Sequence, residues 1–271
     1  NGLQYVFQQR KDTGVVALQI WVKAGSKYED QKIAGITHFI EHLIFKGTEK
    51  VKANEMASRI ESLGGVVNAY TSYDNTVYHI IVPSRAFEEG FELLVDAVRS
   101  PAFPEGEIEK ERKVVLEEIK MGEDDPQRKL FKELFSTSYR EHPYGRPIIG
   151  YEDTVKSINR DEILNYFKKY YVPDNMAIVI AGDFDPKTAD VLIKKHFYEK
   201  NIQSKTTGID NINKNSFETD EDGKDSKKKS DVNENIIERN VKESYLAIAY
   251  RIPSIVDKDT PALEVLGTIL G

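Results

Sequence analysis

Two histidines and a glutamate lie within one short apolar stretch of the chain. The stretch covers residues 35–45, and its ionisable members are His38, Glu41 and His42. On a helix, residues three and four positions apart share a face, so these three side chains would point to one side. Isolated ionised groups in an apolar setting are costly unless they are paired or bind a metal. The spacing therefore predicts a metal-binding helix.

The residue types in this stretch suit hydrolytic zinc chemistry. Neutral imidazoles, one carboxylate ligand and an open position make a catalytic zinc site, and a neighbouring carboxylate can act on a metal-bound water. The alternative is an ordinary pair of helix histidines on a polar stripe. A third ligand from another element would distinguish the two interpretations.

An acidic helix predicted at residues 105–121 offers candidates for the third ligand. Glu111 and Glu118 are seven residues apart, which is two helical turns, so they point in nearly the same direction. Glu117 points about 100° away from Glu118. A stacked pair could place one carboxylate on the metal and the other behind a ligand. Spacing alone leaves open which glutamate binds, and most glutamates of this helix would otherwise form a solvated face.

Composition limits the possible functions. The chain has 271 residues, 39% of them hydrophobic, and a net charge of −7, which argues against a general nucleic-acid binder. It contains no cysteine, so disulfides and cysteine-based zinc sites are excluded. It has no run of about 18 apolar residues, so no membrane span is predicted.

The sequence gives little information about the compartment. A chain without cysteine fits either a reducing compartment or export, and we slightly favour the cytoplasm. The chain opens at Asn1 without Met and closes at Gly271 on an apolar helical run, so both ends look like boundaries within a longer protein. A removed leader is compatible with this beginning.

Strand-like and helix-like segments occur in clusters along the first 200 residues. Val, Ile and Tyr-rich segments predict strands at 3–9, 15–23, 66–70, 76–82 and 176–181, the first two as a hairpin. Helical spacing of apolar residues predicts helices at 35–46, 54–63, 87–98, 105–121, 127–139, 161–171 and 186–196. This order predicts an α+β fold, a mainly antiparallel sheet with helices packed on one face.

The composition changes sharply near residue 200. Residues 1–200 are expected to form the metal-binding domain, and the polar segment 201–236 a flexible linker or an insertion. Residues 237–271 repeat the order strand, polar loop, helix and glycine seen at 15–47, with the strand expected at 244–252 and the helix at 260–270. They contain no histidine. They are therefore interpreted as the start of a second, homologous domain that binds no metal.

The motif and its distance to the acidic helix resemble one peptidase family. His38-Phe-Ile-Glu-His42 has the H-x-x-E-H order of the inverzincins. Glu118 follows His42 by 76 residues, the separation at which the M16 metallopeptidases carry their glutamate ligand, and Glu111 also matches an acidic position of that family. Residues 64–71 and 142–145 resemble it too. The resemblance is closest to bacterial relatives of the mitochondrial processing peptidase beta subunit.

The resemblance implies the M16 domain fold and roles for the motif residues. It implies zinc as the cofactor, bound by His38, His42 and Glu118, with one ion in each catalytic domain. Glu41 would be the general base that takes a proton from the zinc-bound water and passes one to the leaving amine. Glu111 would support the site by contacting a residue that binds the metal, without binding the metal itself.

The resemblance also implies where a peptide would bind. Asn68 and Ala69 would present backbone groups to an extended peptide that adds a strand to the sheet edge. From its residue type alone, Asn68 would be interpreted as a turn or strand-end residue. The family stabilises the oxyanion with an Arg and a Tyr from its second half, which would lie beyond residue 271. We therefore expect this chain alone to bind zinc but to be weak or inactive in hydrolysis.

The expected function is a zinc-dependent endopeptidase acting on short or unfolded peptides. Its expected partners are the peptide substrate and a second homologous domain of the same protein, or a second copy in a homodimer. One alternative is a non-catalytic M16-like subunit that binds peptide or assembles with an active partner. Another is a structural metal protein, which would need a fourth protein ligand.

Overall fold

The computed structural model describes residues 2–53, 55–198 and 234–270. Its strands are β1 (Gln4–Gln9), β2 (Val15–Val22), β3 (Val66–Thr71), β4 (Thr76–Pro83) and β5 (Met176–Gly182). Its α-helices are α1 (Ile36–Ile44), α2 (Glu55–Ser62), α3 (Phe87–Arg99), α4 (Glu105–Asp124), α5 (Pro126–Ser138), α6 (Glu152–Ser157), α7 (Arg160–Tyr170), α8 (Pro186–Phe197) and α9 (Thr260–Leu270).

The five strands form one sheet in the order β1-β5-β2-β4-β3. Only the β1–β5 pair is parallel; the other three pairs are antiparallel. The sheet is therefore mainly antiparallel, and the predicted fold class is confirmed. Strand β3 lies at one end of the order, so one side of its backbone is a sheet edge.

The predicted hairpin between the first two strands is wrong. Strand β5 lies between β1 and β2 and pairs with both. The connection at 10–14 crosses β5 instead of folding back tightly, since a strand between two others separates them by about 10 Å. The backbone N–H of Arg10 donates to the Gly182 carbonyl at 2.6 Å, and that of Asp183 donates to the Val15 carbonyl at 2.9 Å.

One face of the sheet carries the hydrophobic core. Strands β2 and β5 alternate buried and half-buried residues, with Leu18, Ile20, Ile178 and Ile180 fully buried against the helices. Helices α1, α3 and α8 contribute large side chains to the same core. This alternation is the period-two pattern of a sheet covered on one face.

Helix α1 is held at both its start and its buried face. Its first turn is capped by the buried carboxylate of Glu29, which accepts from the backbone N–H groups of Gly35 at 2.8 Å and Thr37 at 2.9 Å. Gly35 has φ +97°, and a Cβ there would lie 2.5 Å from the carbonyl oxygen of Ile149. Only glycine therefore allows this close approach.

The predicted strand at 244–252 is also wrong. No regular secondary structure occurs at these residues, and most of their side chains are exposed. A strand is stabilised by a paired ladder, and the described residues give this segment no partner strand. The helix predicted at 260–270 is present as α9. Most of the segment 201–236 lies outside the described residues. Among the described helices, none combines the length and the hydropathy that crossing a membrane requires.

Candidate metal centre

Helix α1 presents the two motif histidines side by side. The ring centroids of His38 and His42 are 4.7 Å apart, one helical turn from each other. Both side chains are mostly buried, at 18% and 17% exposure. The helix is fixed by the burial of Ile36, Ile40 and its other apolar residues, so the core determines the direction of both imidazoles.

Helix α4 brings a carboxylate to the same point. Oε2 of Glu118 lies 3.9 Å from Nε2 of His38 and 3.6 Å from Nε2 of His42. All three potential ligand atoms lie within 4.8 Å of one another. Ligand atoms on a tetrahedral zinc ion are about 3.4 Å apart, given bond lengths of about 2.0–2.2 Å. The three side chains therefore fit one zinc ion with only small adjustments.

A second glutamate of α4 orients one of the histidines. Oε2 of the buried Glu111 lies 3.2 Å from Nδ1 of His42, and its Oε1 lies 2.8 Å from Nζ of Lys46. When His42 donates its Nδ1 hydrogen to this carboxylate, the Nε2 lone pair faces Glu118 and can bind a metal. The remaining candidates on α4 are elsewhere: Glu117 is exposed, while Glu107 and Glu109 pair with Lys110 and Arg112.

Burial keeps His38 in the form that binds metals. Removal from water, with the nearby His42 as a smaller cause, lowers the pKa of His38 to about 4. The imidazole is therefore neutral at neutral pH, as a metal ligand must be. Its Nδ1 is buried and has no hydrogen-bond partner among the described residues.

Glu41 lies on α1 between the two histidines in sequence and beside them in space. The hydroxyl of Thr71 donates to its Oε2 at 2.5 Å. Burial raises the pKa of the Glu41 carboxyl, an effect opposed by the Thr71 hydrogen bond and by the nearby His42. A carboxylate with a raised pKa beside a metal site has the character of a general base.

The predicted peptide-binding residues lie on β3, at an edge of the sheet that the described strands form. Asn68 and Ala69 are central residues of β3, opposite His79 and Tyr78 of β4. The Asn68 side chain is exposed, and its Oδ1 accepts the N–H of Ala69 at 2.8 Å. The structure thus brings a strand edge close to α1, because Thr71 at the end of β3 reaches Glu41.

Three residues of the site were not predicted from the sequence. Thr71, Lys46 and Glu29 each contact α1 or one of its partners, but none belongs to the H-x-x-E-H motif. Lys46 comes one turn after His42 and could have been found as a partner for a buried carboxylate. The contact of Thr71 joins positions 30 residues apart, and no sequence signal indicates it.

Comparison with known proteins identifies the family. Residues 5–152 match the family model for insulinase, peptidase family M16, and residues 157–271 match the model for the peptidase M16 inactive domain. The chain belongs to the M16 family of zinc metallopeptidases, as the motif predicted. The second match begins within the folded unit, since it includes β5, which lies between β1 and β2. The division at 200 and 236 stays a prediction.

Individual relatives agree with this assignment. The chain is 37% identical over 211 residues to the uncharacterized zinc protease YmxG of Bacillus subtilis, covering 78% of this chain and 51% of the relative. It is 35% identical over 197 residues to the mitochondrial-processing peptidase subunit beta of Mus musculus, covering 73% and 40%. It thus spans about half the length of the curated relatives that it matches.

Solved structures agree as well. A protease from Helicobacter pylori superimposes with a TM-score of 0.70 at 36% identity, covering 73% of this chain and 48% of that chain. A putative M16-like peptidase from Alicyclobacillus acidocaldarius gives a TM-score of 0.67 at 28% identity, covering 74% and 48%. The architecture described above is therefore that of an M16 domain.

Proposed function

We propose that this chain is the metal-binding half of a zinc-dependent endopeptidase that hydrolyses short or unfolded peptides. The observation that carries the proposal is the convergence of His38, His42 and Glu118 within 4.8 Å, with Glu41 close enough to His42 and Glu118 to feel their charges. Two imidazoles and one carboxylate are the donors of many hydrolytic zinc sites. Zinc is also the metal in the names of relatives such as YmxG.

In the proposed mechanism, Glu41 moves the protons. Bound zinc lowers the pKa of a coordinated water to about 7, so a nucleophile is available at neutral pH. The Glu41 carboxylate accepts a proton from the attacking water and later donates one to the nitrogen of the leaving amine. Glu111 holds the tautomer of His42 throughout, because it accepts the Nδ1 hydrogen.

In the same proposal, the peptide lies along the free edge of β3. An extended peptide can add a strand to this edge through backbone hydrogen bonds. Asn68 and Ala69 are the middle of the edge, and the end of β3 approaches Glu41 through Thr71. A peptide bound there would pass beside the metal-binding face of α1.

The proposed partner is a second M16 domain, either in the same protein or in a second copy of it. The match of residues 157–271 to the M16 inactive domain supports this, as does the coverage of only about half of each relative. We expect residues 1–271 alone to bind zinc and to hydrolyse peptides weakly or not at all. Rapid turnover by the isolated chain would contradict this expectation.

The proposed function is tested by replacing Glu41 with Gln in the full-length protein. Zinc is measured by elemental analysis, and hydrolysis is measured on an unstructured peptide. We expect one zinc per chain in both proteins and a loss in kcat of about 10²- to 10⁴-fold in the variant, which is the usual contribution of a general base. The matched control is Glu117→Gln, an exposed glutamate of α4, which should behave as wild type.

Each contrary result has a specific meaning. An active Glu41→Gln protein would remove Glu41 from its role. A wild-type protein without zinc would contradict the metal site. A wild-type protein that holds zinc and binds the peptide without cleaving it would favour the non-catalytic subunit.

A further inference from the structure

A threonine at the end of the edge strand contacts the proposed general base. Thr71 is the last residue of β3, and its hydroxyl donates to Oε2 of Glu41 at 2.5 Å. Both side chains are half-buried, so water competes only partly for this hydrogen bond. Hydrogen bonds from a hydroxyl to a carboxylate are among the stronger ones in proteins.

The hydrogen-bond network around Thr71 directs its single hydroxyl hydrogen to Glu41. The neighbouring acceptor is Oγ1 of Thr76, which lies 3.4 Å away, a much longer contact. Thr76 uses its own hydrogen for the carbonyl of Ala24 at 2.9 Å, so it cannot donate to Thr71. A hydroxyl has one hydrogen to donate. The ionised Glu41 carboxylate is therefore the natural acceptor for the Thr71 hydrogen.

The position of Thr71 is fixed by the strand pairing. Thr71 and Thr76 face each other across the β3–β4 pair and close the hairpin whose turn is formed by residues 72–75. Thr76 is fully buried, and its hydroxyl adds one hydrogen bond, to the carbonyl of Ala24, beside the backbone pairing of β4 with β2 and β3. The donor to Glu41 is therefore fixed by the sheet, whereas Glu41 itself has three rotatable side-chain torsions on α1.

We propose that Thr71 is a positioning residue that holds the Glu41 carboxylate in one orientation beside the metal-binding face of α1. This inference rests on the proposed function, in which Glu41 is the general base. The hydroxyl binds one carboxylate oxygen and limits rotation of the side chain, so that the group is already oriented when a water and a peptide are in place. Thr71 is also the last residue of β3, the strand that would bind the peptide. It therefore connects the position of the bound peptide with the position of the Glu41 carboxylate.

The proposal distinguishes Thr71 from a residue that only binds the peptide. A peptide-binding residue acts on substrate affinity and mainly changes KM, whereas a residue that orients the base acts on the chemical step and changes kcat. It also differs from a purely structural residue, whose loss lowers stability without a specific effect on turnover. Three substitutions separate these roles: Thr71→Val, Thr71→Ser and Thr76→Val.

The two substitutions at position 71 differ in the hydroxyl. Thr71→Val keeps the shape and the β-branch and removes the donor, and Thr71→Ser keeps the donor. In the full-length zinc-loaded protein we expect Thr71→Val to lower kcat about ten- to a hundredfold, with KM within about twofold of wild type. Thr71→Ser should retain most of the wild-type kcat. Zinc content should stay at one per chain in both.

The matched control is Thr76→Val on the facing strand. It makes the same atomic change one hydrogen bond away from the base, and it leaves the carbonyl of Ala24 without its donor. We expect it to lower Tm, because a buried acceptor loses its partner, and to leave kcat within about twofold of wild type. This result would show that a damaged hairpin alone does not reproduce the Thr71→Val effect.

Two outcomes would overturn the inference while leaving the proposed function in place. One is a Thr71→Val enzyme with wild-type kcat beside an inactive Glu41→Gln enzyme. The other is a Thr71→Val enzyme in which only KM rises.

Crystal structures of the zinc-loaded variants test the inference without turnover. The Glu41 side chain should have one orientation in wild type and in Thr71→Ser, and a displaced orientation or two alternate conformers in Thr71→Val. An unchanged Glu41 in Thr71→Val would overturn it, even if the wild-type protein proved not to be a peptidase.

Discussion

Helices α1 and α4 both contribute to the candidate site, but they are held in very different ways. In α1, six of nine residues are buried, and they surround the half-buried His38, Glu41 and His42. In α4, three of twenty residues are buried, and the side chain of its candidate ligand Glu118 is 40% exposed. The core thus determines the direction of the α1 side chains, whereas α4 contributes its candidate ligand from a largely solvated helix.

This comparison predicts unequal contributions to metal binding. Replacing His42 with Ala should abolish stoichiometric zinc, because one imidazole of the rigid i, i+4 pair is lost. Replacing Glu118 with Ala should weaken zinc binding and leave a measurable affinity, because two imidazoles remain in place and water can take the position of an exposed carboxylate. Zinc content after dialysis and competition with a chelator of known affinity would measure both.

The contrast between the two helices requires that His42→Ala lose more zinc affinity than Glu118→Ala. Circular dichroism of each variant would verify that the helices are intact, so that a loss of zinc is not a loss of fold. Equal loss in both variants would mean that α4 holds its carboxylate as firmly as α1 holds its imidazoles. A larger loss in Glu118→Ala would reverse the comparison.

The same contrast predicts unequal contributions to stability. Phe39 of α1 is fully buried and lies under the guanidinium of Arg112, whose Cζ is 5.3 Å from the ring centroid. Phe39→Ala should lower the free energy of unfolding by about 3–5 kcal/mol. Val114 of α4 is 44% exposed, so Val114→Ala should change the free energy of unfolding by less than about 1 kcal/mol. Urea denaturation of the two variants beside wild type would compare them, and similar losses would contradict the burial argument.

The sequence was sufficient for the parts of the site that follow helical periodicity. The spacing of His38, Glu41 and His42 predicted one metal-binding face of α1, because side-chain direction on a helix depends only on position. The spacing on α4 could not choose between Glu111, Glu117 and Glu118. That choice depends on how α4 packs against α1, and the structure brings Glu118 to the imidazoles and Glu111 behind His42.

The wrong predictions concern contacts between distant segments. The expected hairpin of the first two strands failed because β5, more than 150 residues later, pairs between them. Local alternation identifies a strand but does not identify its neighbour. The expected strand at 244–252 failed for a related reason, since strand propensity without a paired partner does not make a ladder. Thr71 was missed because its role depends on the same kind of long-range packing.

Glu111 gives a further test of how the two helices differ, because it lies on α4 and is nevertheless buried. Its carboxylate lies between Nδ1 of His42 and Nζ of Lys46, both contributed by α1 or the residues just after it. Glu111→Gln replaces the charged acceptor of His42 with a neutral and weaker one, so zinc affinity should fall about 10- to 100-fold, the usual effect of altering such a partner. The effect should be smaller than that of His42→Ala, because every direct ligand remains.

The exposed Glu117, one residue before Glu118, provides the control: Glu117→Gln removes the same charge from the same helix and should leave zinc affinity unchanged. Equal losses in both variants would mean that the general negative charge of α4, and not a carboxylate placed beside His42, supports metal binding.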